Sequence, residues 1–125
     1  MENGKSVNEK LVLVVDDDLI ARRLLSRLLN AEGYSVLEAE DGQKALEVLE
    51  QTTHAPCMIL LDLAMPVLDG HGFLKIRAED PALRQIPVAV VSGNVQRGEP
   101  LNGIDAYLEK PVSRKRLIAV VEHRC

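Results

Sequence analysis

The chain is short of aromatic residues, which make up only 2% of its 125 residues and include no tryptophan. Aliphatic side chains must therefore build the core. Proteins that bind single-stranded nucleic acids by base stacking generally need more aromatic side chains than this. A net charge of -4 also leaves no excess of positive charge. The composition thus disfavours direct binding to nucleic acids and to anionic membranes.

Long apolar runs and a set of cysteines are missing as well. No apolar stretch approaches the roughly 18 residues of a membrane-spanning helix, and the polar residues 1–10 lack the apolar segment of a signal peptide. We therefore expect a cytoplasmic protein. Cys57 and Cys125 are the only cysteines and do not make a disulfide framework. Cys57 lies in an apolar run and is interpreted as a core side chain, and Cys125 as a terminal thiol.

The length favours one domain over residues 1–125, with a polar tail at residues 1–9. Short apolar runs alternate with segments of helical periodicity. Three of the runs are apolar throughout, as in strands buried on both faces. The pattern predicts a parallel sheet with helices on both sides. The predicted strands are 11–15, 35–40, 57–61, 87–91 and 104–109, and the predicted helices begin near residues 19, 41, 70 and 113.

Polar residues follow the predicted strands, at the edge where an open parallel sheet binds its ligands. They are Asp16, Asp17 and Asp18 after the first strand, Asp62 after the third, Ser92 after the fourth, and Lys110 with Pro111 after the fifth. Each has an ordinary structural explanation when taken alone. Asp18 can cap a helix, Asp69-Gly70 can form a turn, and a single aspartate can cap a strand. Their shared position at one edge favours a functional site.

The residue types at this edge indicate phosphoryl chemistry. Carboxylates that share a pocket repel each other, and a divalent cation relieves that repulsion. Oxygen ligands favour magnesium, with manganese as a substitute. Lys110 supplies positive charge and Ser92 a hydroxyl donor for a phosphoryl group. Asp62 can then act as the nucleophile that takes up phosphoryl as an acyl phosphate.

Two other phosphate chemistries fit the sequence less well. Phosphatases of the haloacid dehalogenase type also use an aspartate nucleophile at a strand end, but they need a second aspartate two residues later. Ala64 occupies that position here. Nucleotide hydrolases with a phosphate-binding loop need the pattern G-x-x-x-x-G-K, which is absent from the sequence.

Four motifs in order, "VVDDD", "LLDLAMPVLDG", "VVSGN" and "YLEKP", resemble those of the response-regulator receiver domain of two-component signalling. The resemblance extends from Leu11 to about Glu122, and over this range the chain is similar to the chemotaxis response regulator. It implies an α/β, flavodoxin-like fold with a doubly wound, five-stranded parallel sheet of order 2-1-3-4-5. Five helices would flank that sheet.

The resemblance also implies the ligands of the metal and the phosphoacceptor. It makes Asp62 the residue that carries the phosphoryl group and Asp16 and Asp17 the acid pair. Asp17 and Asp62 would bind Mg²⁺ directly, together with the backbone carbonyl of Ala64. Asp16 would act mainly through a water molecule.

Four further residues receive roles from the same resemblance. Lys110 would pair with the phosphoryl group, and Pro111 would hold the loop, with a cis peptide bond as one arrangement. Ser92 would be the switch hydroxyl and Tyr107 the aromatic side chain that reorients with it.

The sequence departs from the family pattern in the connection 93–103. This segment is short for a parallel crossover and contains three glycines and Pro100. We therefore expect a shortened fourth helix of at most one or two turns, and with it a reduced output face.

The leading functional hypothesis is a switch that takes a phosphoryl group from a histidine kinase or phosphotransfer protein. Such a domain catalyses its own phosphorylation and dephosphorylation without being a dedicated enzyme. The alternatives are a phosphorylation-independent binding module and, disfavoured by Ala64, a true phosphohydrolase. The sequence leaves two alternatives for the output, a domain beyond Cys125 or a separate protein, and it also leaves open whether the chain forms a homodimer. The sequence specifies neither the kinase nor the target.

Overall fold

A computed structural model describes residues 5–63, 65, 67–93 and 104–125. Ala64, Pro66 and residues 94–103 lie outside the described residues. The predicted backbone ligand at Ala64 and the predicted shortened fourth helix both fall there.

Strands and helices alternate from residue 7 to residue 92 as the sequence predicts. The strands are β1 (Val7–Val15), β2 (Ser35–Ala39), β3 (Ala55–Asp62), β4 (Val88–Ser92) and β5 (Ala106–Glu109). The helices in the described residues are α1 (Leu19–Ala31), α2 (Gly42–Gln51), α3 (Gly70–Glu79) and α4 (Arg114–Arg124). All strand pairs are parallel, and the sheet order is β2-β1-β3-β4-β5. The predicted fold class and sheet order are confirmed.

Helices cover both faces of the sheet, which explains why the central strands are apolar throughout. Alternate residues of a strand point to opposite faces. In β1, Val12 and Val14 belong to one core cluster, together with Leu29 of α1 and Leu117 of α4. The intervening residues Leu13 and Val15 belong to the other cluster, with side chains from α2 and α3. Both faces of β3 and of residues 11–15 of β1 are therefore buried, and the polar residues lie where these strands end.

Each of the four described helices is preceded by a residue whose side chain caps it. Asp18 Oδ1 accepts hydrogen bonds from the backbone N–H groups of Ile20 and Ala21, at 2.9 and 3.3 Å. Asp41 caps α2 and Ser113 caps α4 in the same way. The third helix begins at Gly70 as the sequence predicts, and Asp69, which alone could also close a turn, is its cap, because Asp69 Oδ1 accepts from the N–H of Gly72 at 2.8 Å. An Asx side chain that closes a turn and one that caps a helix look alike in sequence.

The first strand begins earlier than its apolar run predicts. The predicted strand starts at Leu11, whereas β1 starts at Val7 inside the expected polar tail. Val7 and Asn8 pair with Ala55 and Pro56 of β3, and the register shifts between Asn8 and Val12. Residues 7–10 are exposed, so they carry no apolar signature by which a pattern could identify them.

Helix α1 buries less of its apolar stripe than its periodicity suggests. Leu25 and Leu29 are buried, but Ile20 and Leu24 are 79% and 52% exposed. The stripe is wider than the face of the helix that meets the sheet. Ile20 and Leu24 consequently form an exposed apolar patch beside Pro111 and Val112.

The interpretation of the two cysteines is wrong in one respect. Cys57 is buried in the core as expected, but it is bonded to Cys125 in a disulfide with a Cα–Cα distance of 5.4 Å. The two residues are 68 positions apart in sequence, and pairing over such a separation cannot be read from spacing alone.

Candidate functional site

The register of the two central strands brings the acidic residues together. Val15 of β1 lies beside Leu61 of β3. Asp16 directly follows β1, and Asp62 is the last residue of β3, so the two carboxylates leave adjacent strands at the same edge of the sheet. This is the position at which the strand order reverses, the usual place for a ligand in such a sheet.

Three carboxylates form a cluster at this edge. One carboxylate oxygen from each of Asp16, Asp17 and Asp62 lies within 4.8 Å of the others. Asp16 and Asp62 are buried, whereas Asp17 is exposed. Asp16 Oδ1 accepts a hydrogen bond from the N–H of Asp18 at 2.9 Å, which fixes the orientation of the carboxylate. Two buried negative charges are thus held beside a third that faces solvent.

Lys110 supplies the positive charge of the site. Its Nζ lies 2.9 Å from Asp16 Oδ2 and 3.8 Å from Asp62 Oδ2. Partial burial alone would lower the pKa of the lysine, but its interaction with Asp16 and the charges of Asp62 and Asp18 outweigh burial and raise that pKa. Lys110 therefore stays protonated at neutral pH. The Lys110–Pro111 peptide bond is cis.

Ser92 and Tyr107 belong to β4 and β5, the two strands that follow β3 in the sheet order. Asp62 pairs with Val91, so Ser92 at the end of β4 is one residue beyond it at the same edge. The backbone N–H of Lys110 donates to the carbonyl of Ser92 at 2.9 Å. Tyr107 of β5 is partly buried and packs against the core cluster that contains Val90. The structure therefore brings Ser92 to the same edge as Asp62 and places Tyr107 in the neighbouring strand.

Two glycines allow the loop after β3 to fold tightly around the site. A Cβ at Gly70 would lie 2.6 Å from Leu63 Cα and 2.7 Å from the carbonyl oxygen of Asp62. A Cβ at Gly42 would lie 2.5 Å from the carbonyl oxygen of Leu68, which accepts a hydrogen bond from the N–H of Gly42 at 2.9 Å. These contacts involve backbone atoms and leave no room for a side chain. They hold the starts of α2 and α3 against the loop.

Sequence reasoning missed a polar network of partly buried side chains beneath the acidic loop. Arg22 of α1 donates through Nη1 to the carbonyl of Asp16 at 2.7 Å and through Nε to Glu38 at 2.8 Å. Ser26 donates to the other oxygen of Glu38 at 3.0 Å. The available signal was Glu38 itself, a charged residue inside the apolar strand "SVLEA". The network ties the loop that carries the acid pair to α1 and β2.

The donor set fits a hard divalent cation. Asp16 Oδ2 is fully buried and accepts no hydrogen bond of good geometry from any residue that the structure describes, so its charge is offset mainly by the nearby ammonium. Three carboxylate oxygens face one small volume, and magnesium commonly takes one or two such ligands and keeps several waters. The exposure of Asp17 leaves that volume open to solvent and to a phosphoryl group.

Comparison with known proteins identifies the family. The response regulator receiver domain matches residues 12–122. The chain belongs to this family. Receiver domains act as signalling switches, interact with histidine kinases or phosphotransfer proteins, and bind magnesium at an acidic site.

Several relatives of this receiver domain cover nearly its full length. The polar-differentiation response regulator DivK from Brucella anthropi is 31% identical over 117 residues, which are 90% of this chain and 94% of DivK. A response regulator receiver protein from Pseudomonas putida is 28% identical, with a TM-score of 0.80 over 90% of this chain and 95% of that one. A receiver domain of a sensor histidine kinase from Pseudomonas aeruginosa PAO1, solved with magnesium in its active-site cleft, is 25% identical, with a TM-score of 0.81 over 92% and 96% of the two chains.

Among the residues that the structure describes, no helix is both long and apolar enough to cross a membrane.

Proposed function

We propose that this receiver domain is a phosphorylation-controlled switch that accepts a phosphoryl group on Asp62 from a histidine kinase or phosphotransfer protein. The observation that carries the proposal is the position of Lys110, whose ammonium bridges the carboxylates of Asp16 and Asp62. A solvent-exposed lysine that only capped a loop would not need two acidic partners at the end of the central strands.

In the proposed transfer, a carboxylate oxygen of Asp62 attacks the phosphorus of a phosphohistidine. The new P–O bond forms as the P–N bond breaks, and the imidazole of the donor takes up a proton. Lys110 pairs with an oxygen of the transferring group and stabilises the charge that develops there. Ser92, at the same edge, donates its hydroxyl to a second phosphoryl oxygen.

Bound magnesium would supply further positive charge for the phosphoryl oxygens, and manganese can take its place. The proposed ligands are Asp17, Asp62 and the backbone carbonyl of Ala64, with Asp16 acting mainly through a water molecule. Arg22 supports this set indirectly, because it holds the carbonyl of Asp16 and thereby the loop on which the acid pair lies.

The switch would arise from competition for Lys110. Its ammonium is paired mainly with Asp16 in this structure, at 2.9 Å against 3.8 Å for Asp62. A phosphoryl group on Asp62 adds negative charge at the more distant of the two carboxylates and draws Lys110 and Ser92 toward it. The backbone N–H of Lys110 is hydrogen-bonded to the carbonyl of Ser92, and Tyr107 lies on β5, just before Lys110 in the chain. A movement of Lys110 and Ser92 therefore changes the surface around Tyr107.

The exposed apolar patch next to the site is the proposed docking surface for the phosphodonor. A groove of about 400 Å³ lies between α1 and the loop after β5, and its lining includes Ile20, Leu24, Pro111 and Val112. Asp18 and Lys110 line the same groove. It is therefore continuous with the phosphoacceptor site, so a protein seated on the patch can present its phosphohistidine to Asp62.

Mass spectrometry after incubation with acetyl phosphate and Mg²⁺ tests the proposal. We expect one phosphoryl group on Asp62 and none on Asp62→Asn. Asp69→Asn is a matched control, because asparagine caps a helix as well as aspartate does and Asp69 lies outside the acidic cluster. The absence of any adduct on the wild-type chain would favour the phosphorylation-independent binding module instead. Rapid multiple turnover of unrelated phosphomonoesters would favour a phosphohydrolase.

A further inference from the structure

We propose that Cys57 and Cys125 form a reversible redox clasp that fastens the end of α4 to the beginning of β3. The two residues are the only cysteines of the chain. They lie at the opposite end of β3 from Asp62, so the clasp is separate from the phosphoryl site and does not depend on its chemistry.

The fold itself brings the two sulfur atoms together. Cys57 is buried in the same core cluster as Leu117 and Val121 of α4. The backbone N–H of Cys125 continues the helix by donating to the carbonyl of Val121 at 2.8 Å. Because strand and helix are packed by apolar contacts, the cysteines stay close together whether or not they are bonded. Their Cα–Cα distance of 5.4 Å lies in the usual range for a disulfide.

The reduced pair is also accommodated. Cys57 Sγ lies 3.2 Å from the carbonyl oxygen of Leu11. When the disulfide is opened, the S–H of Cys57 can donate to that oxygen, so reduction leaves no unsatisfied donor in the core. A site that suits both the bonded and the reduced sulfur is expected of a reversible pair.

Small thiols can reach the bond from one side. Cys57 is 4% exposed, whereas Cys125 is partly exposed at the end of the helix. A cleft of about 250 Å³ opens on Cys57, and its lining includes Lys5, Glu9 and Arg124. Because Arg124, the neighbour of Cys125 in the chain, also lines this cleft, a peptide thiol such as glutathione that exchanges with Cys125 can place its polar groups there.

The reaction is thiol–disulfide exchange with oxidised glutathione as the oxidant. The thiolate of Cys125 attacks one sulfur of the oxidant, whose S–S bond breaks and releases one glutathione thiolate. The thiolate of Cys57 then attacks the sulfur of Cys125 and releases the second glutathione. The protein loses two protons and two electrons, and the oxidant is reduced to two thiols. Excess reduced glutathione, or another thiol reductant, reverses both steps.

Closing the clasp should stabilise the domain and its last helix in particular. The bond closes a long loop between residues 57 and 125, which restricts the unfolded chain. We expect the melting temperature of the oxidised form to exceed that of the reduced form by about 10 °C. The amide of Cys125 should also exchange more slowly with solvent in the oxidised form, whereas the amide of Glu32 at the end of α1 should not change.

The test is equilibration of the full chain in glutathione buffers that range from reducing to oxidising, followed by alkylation and mass spectrometry. We expect the oxidised product to lack two hydrogen atoms, to yield a peptide that joins Cys57 to Cys125, and to return to the dithiol in reducing buffer. The melting temperature and amide exchange should follow the same transition.

Cys125→Ser is the matched control, because it leaves the buried Cys57 in place and alters only a partly exposed position. Its melting temperature should equal that of the reduced wild type in every buffer. Asp62→Asn should show the wild-type redox transition, which separates this proposal from the phosphoryl switch. Glutathione retained on either cysteine in oxidising buffer, or equal melting temperatures for the bonded and reduced forms, would overturn the clasp.

Discussion

Lys110 Nζ lies closer to Asp16 than to Asp62, at 2.9 Å against 3.8 Å. Asp16 is almost completely buried, with 1% of its surface exposed. A buried carboxylate is costly unless a positive charge offsets it. In this structure the lysine therefore offsets part of the negative charge of the acidic cluster, chiefly that of Asp16, and in the proposed mechanism it moves toward the phosphoryl group.

Replacing Lys110 by glutamine should separate these two roles. Without the ammonium, Asp16 keeps a poorly compensated buried charge, so the domain should lose about 1–3 kcal/mol of unfolding free energy in the absence of metal. Magnesium should restore more stability to Lys110→Gln than to the wild type, because it faces a cluster of higher net negative charge. Phosphorylation by acetyl phosphate should fall by about two orders of magnitude. Thermal unfolding with and without Mg²⁺, together with adduct formation, measures both effects. Normal phosphorylation of the variant would contradict the role of Lys110.

Removing one carboxylate should weaken metal binding without unfolding the domain. Asp17 is the suitable position because it is exposed and makes no core contact. Asp17→Asn should lower Mg²⁺ affinity by at least about tenfold, or 1.4 kcal/mol. Isothermal titration calorimetry on the wild type, Asp17→Asn and the control Asp69→Asn provides the comparison. Unchanged affinity in Asp17→Asn would show that the acid pair is assigned incorrectly.

Ser92→Ala should accept phosphoryl but transmit it poorly. The variant keeps Asp62 and Lys110, so we expect an adduct in mass spectrometry. It lacks the hydroxyl that would bind the new phosphoryl oxygen, so the region of Tyr107 should respond weakly. NMR chemical shifts of Tyr107 and its neighbours, with and without beryllofluoride as a phosphoryl mimic, measure that response. A full wild-type shift in Ser92→Ala would exclude the hydroxyl as the switch.

Glu38 should contribute to the loss of stability in acid. Burial alone would raise the pKa of Glu38, but hydrogen bonds from Arg22 and Ser26 and the charges of Arg22 and Arg23 outweigh burial and lower that pKa. A lowered pKa in the folded state means that the contribution is complete above the ordinary glutamate pKa of about 4.3. It is lost as the pH falls through the lower folded value. Urea unfolding from neutral to acidic pH should therefore show a shallower decline for Glu38→Gln. Parallel pH profiles for the two proteins would contradict this account.

A charge on the apolar patch should slow transfer from a protein donor alone. Ile20 is 79% exposed, so Ile20→Asp should leave the fold intact. We expect phosphorylation by acetyl phosphate to be unchanged and transfer from the cognate phosphohistidine protein to slow by about tenfold. Ile76→Asp, which alters an exposed apolar side chain of α3 outside the lining of the groove, is the control. Equal slowing with both donors would place the effect in the site itself.

The sequence was sufficient to predict the order of strands and helices around the sheet, because its central strands are marked by short runs of apolar residues. β3 and β4 are apolar on both faces, and that pattern leaves few architectures open. Asp16, Asp17, Asp62 and Lys110 could be grouped for the same reason, since each follows a strand of the predicted sheet. The pattern is less informative about helix faces, since the apolar residue Ile118 of α4 is only partly buried whereas Val120 is buried.

Contacts between distant parts of the chain could not be predicted in this way. Arg22 lies one turn into an amphipathic helix, and only the folded packing shows that it reaches Asp16 and Glu38. The disulfide depends on where α4 ends relative to β3, a tertiary relationship without a local pattern. The early start of β1 depends on the pairing of Val7 and Asn8 with Ala55 and Pro56 of β3. In each case long-range packing, not local propensity, decides the outcome.

The glycines behind the acidic loop affect which positions of this domain a genetic screen would find intolerant to substitution. Any side chain at Gly42 or Gly70 would collide with backbone atoms of the loop, near the carbonyl of Asp62 in the case of Gly70. A substitution there must displace the backbone at Leu63 or Leu68, close to Asp62. A survey of all single substitutions would therefore score these two positions as severely as Asp62, although neither carries a functional group. Intolerance to substitution would outline the scaffold of the site together with its chemistry, and only biochemical assays would separate the two.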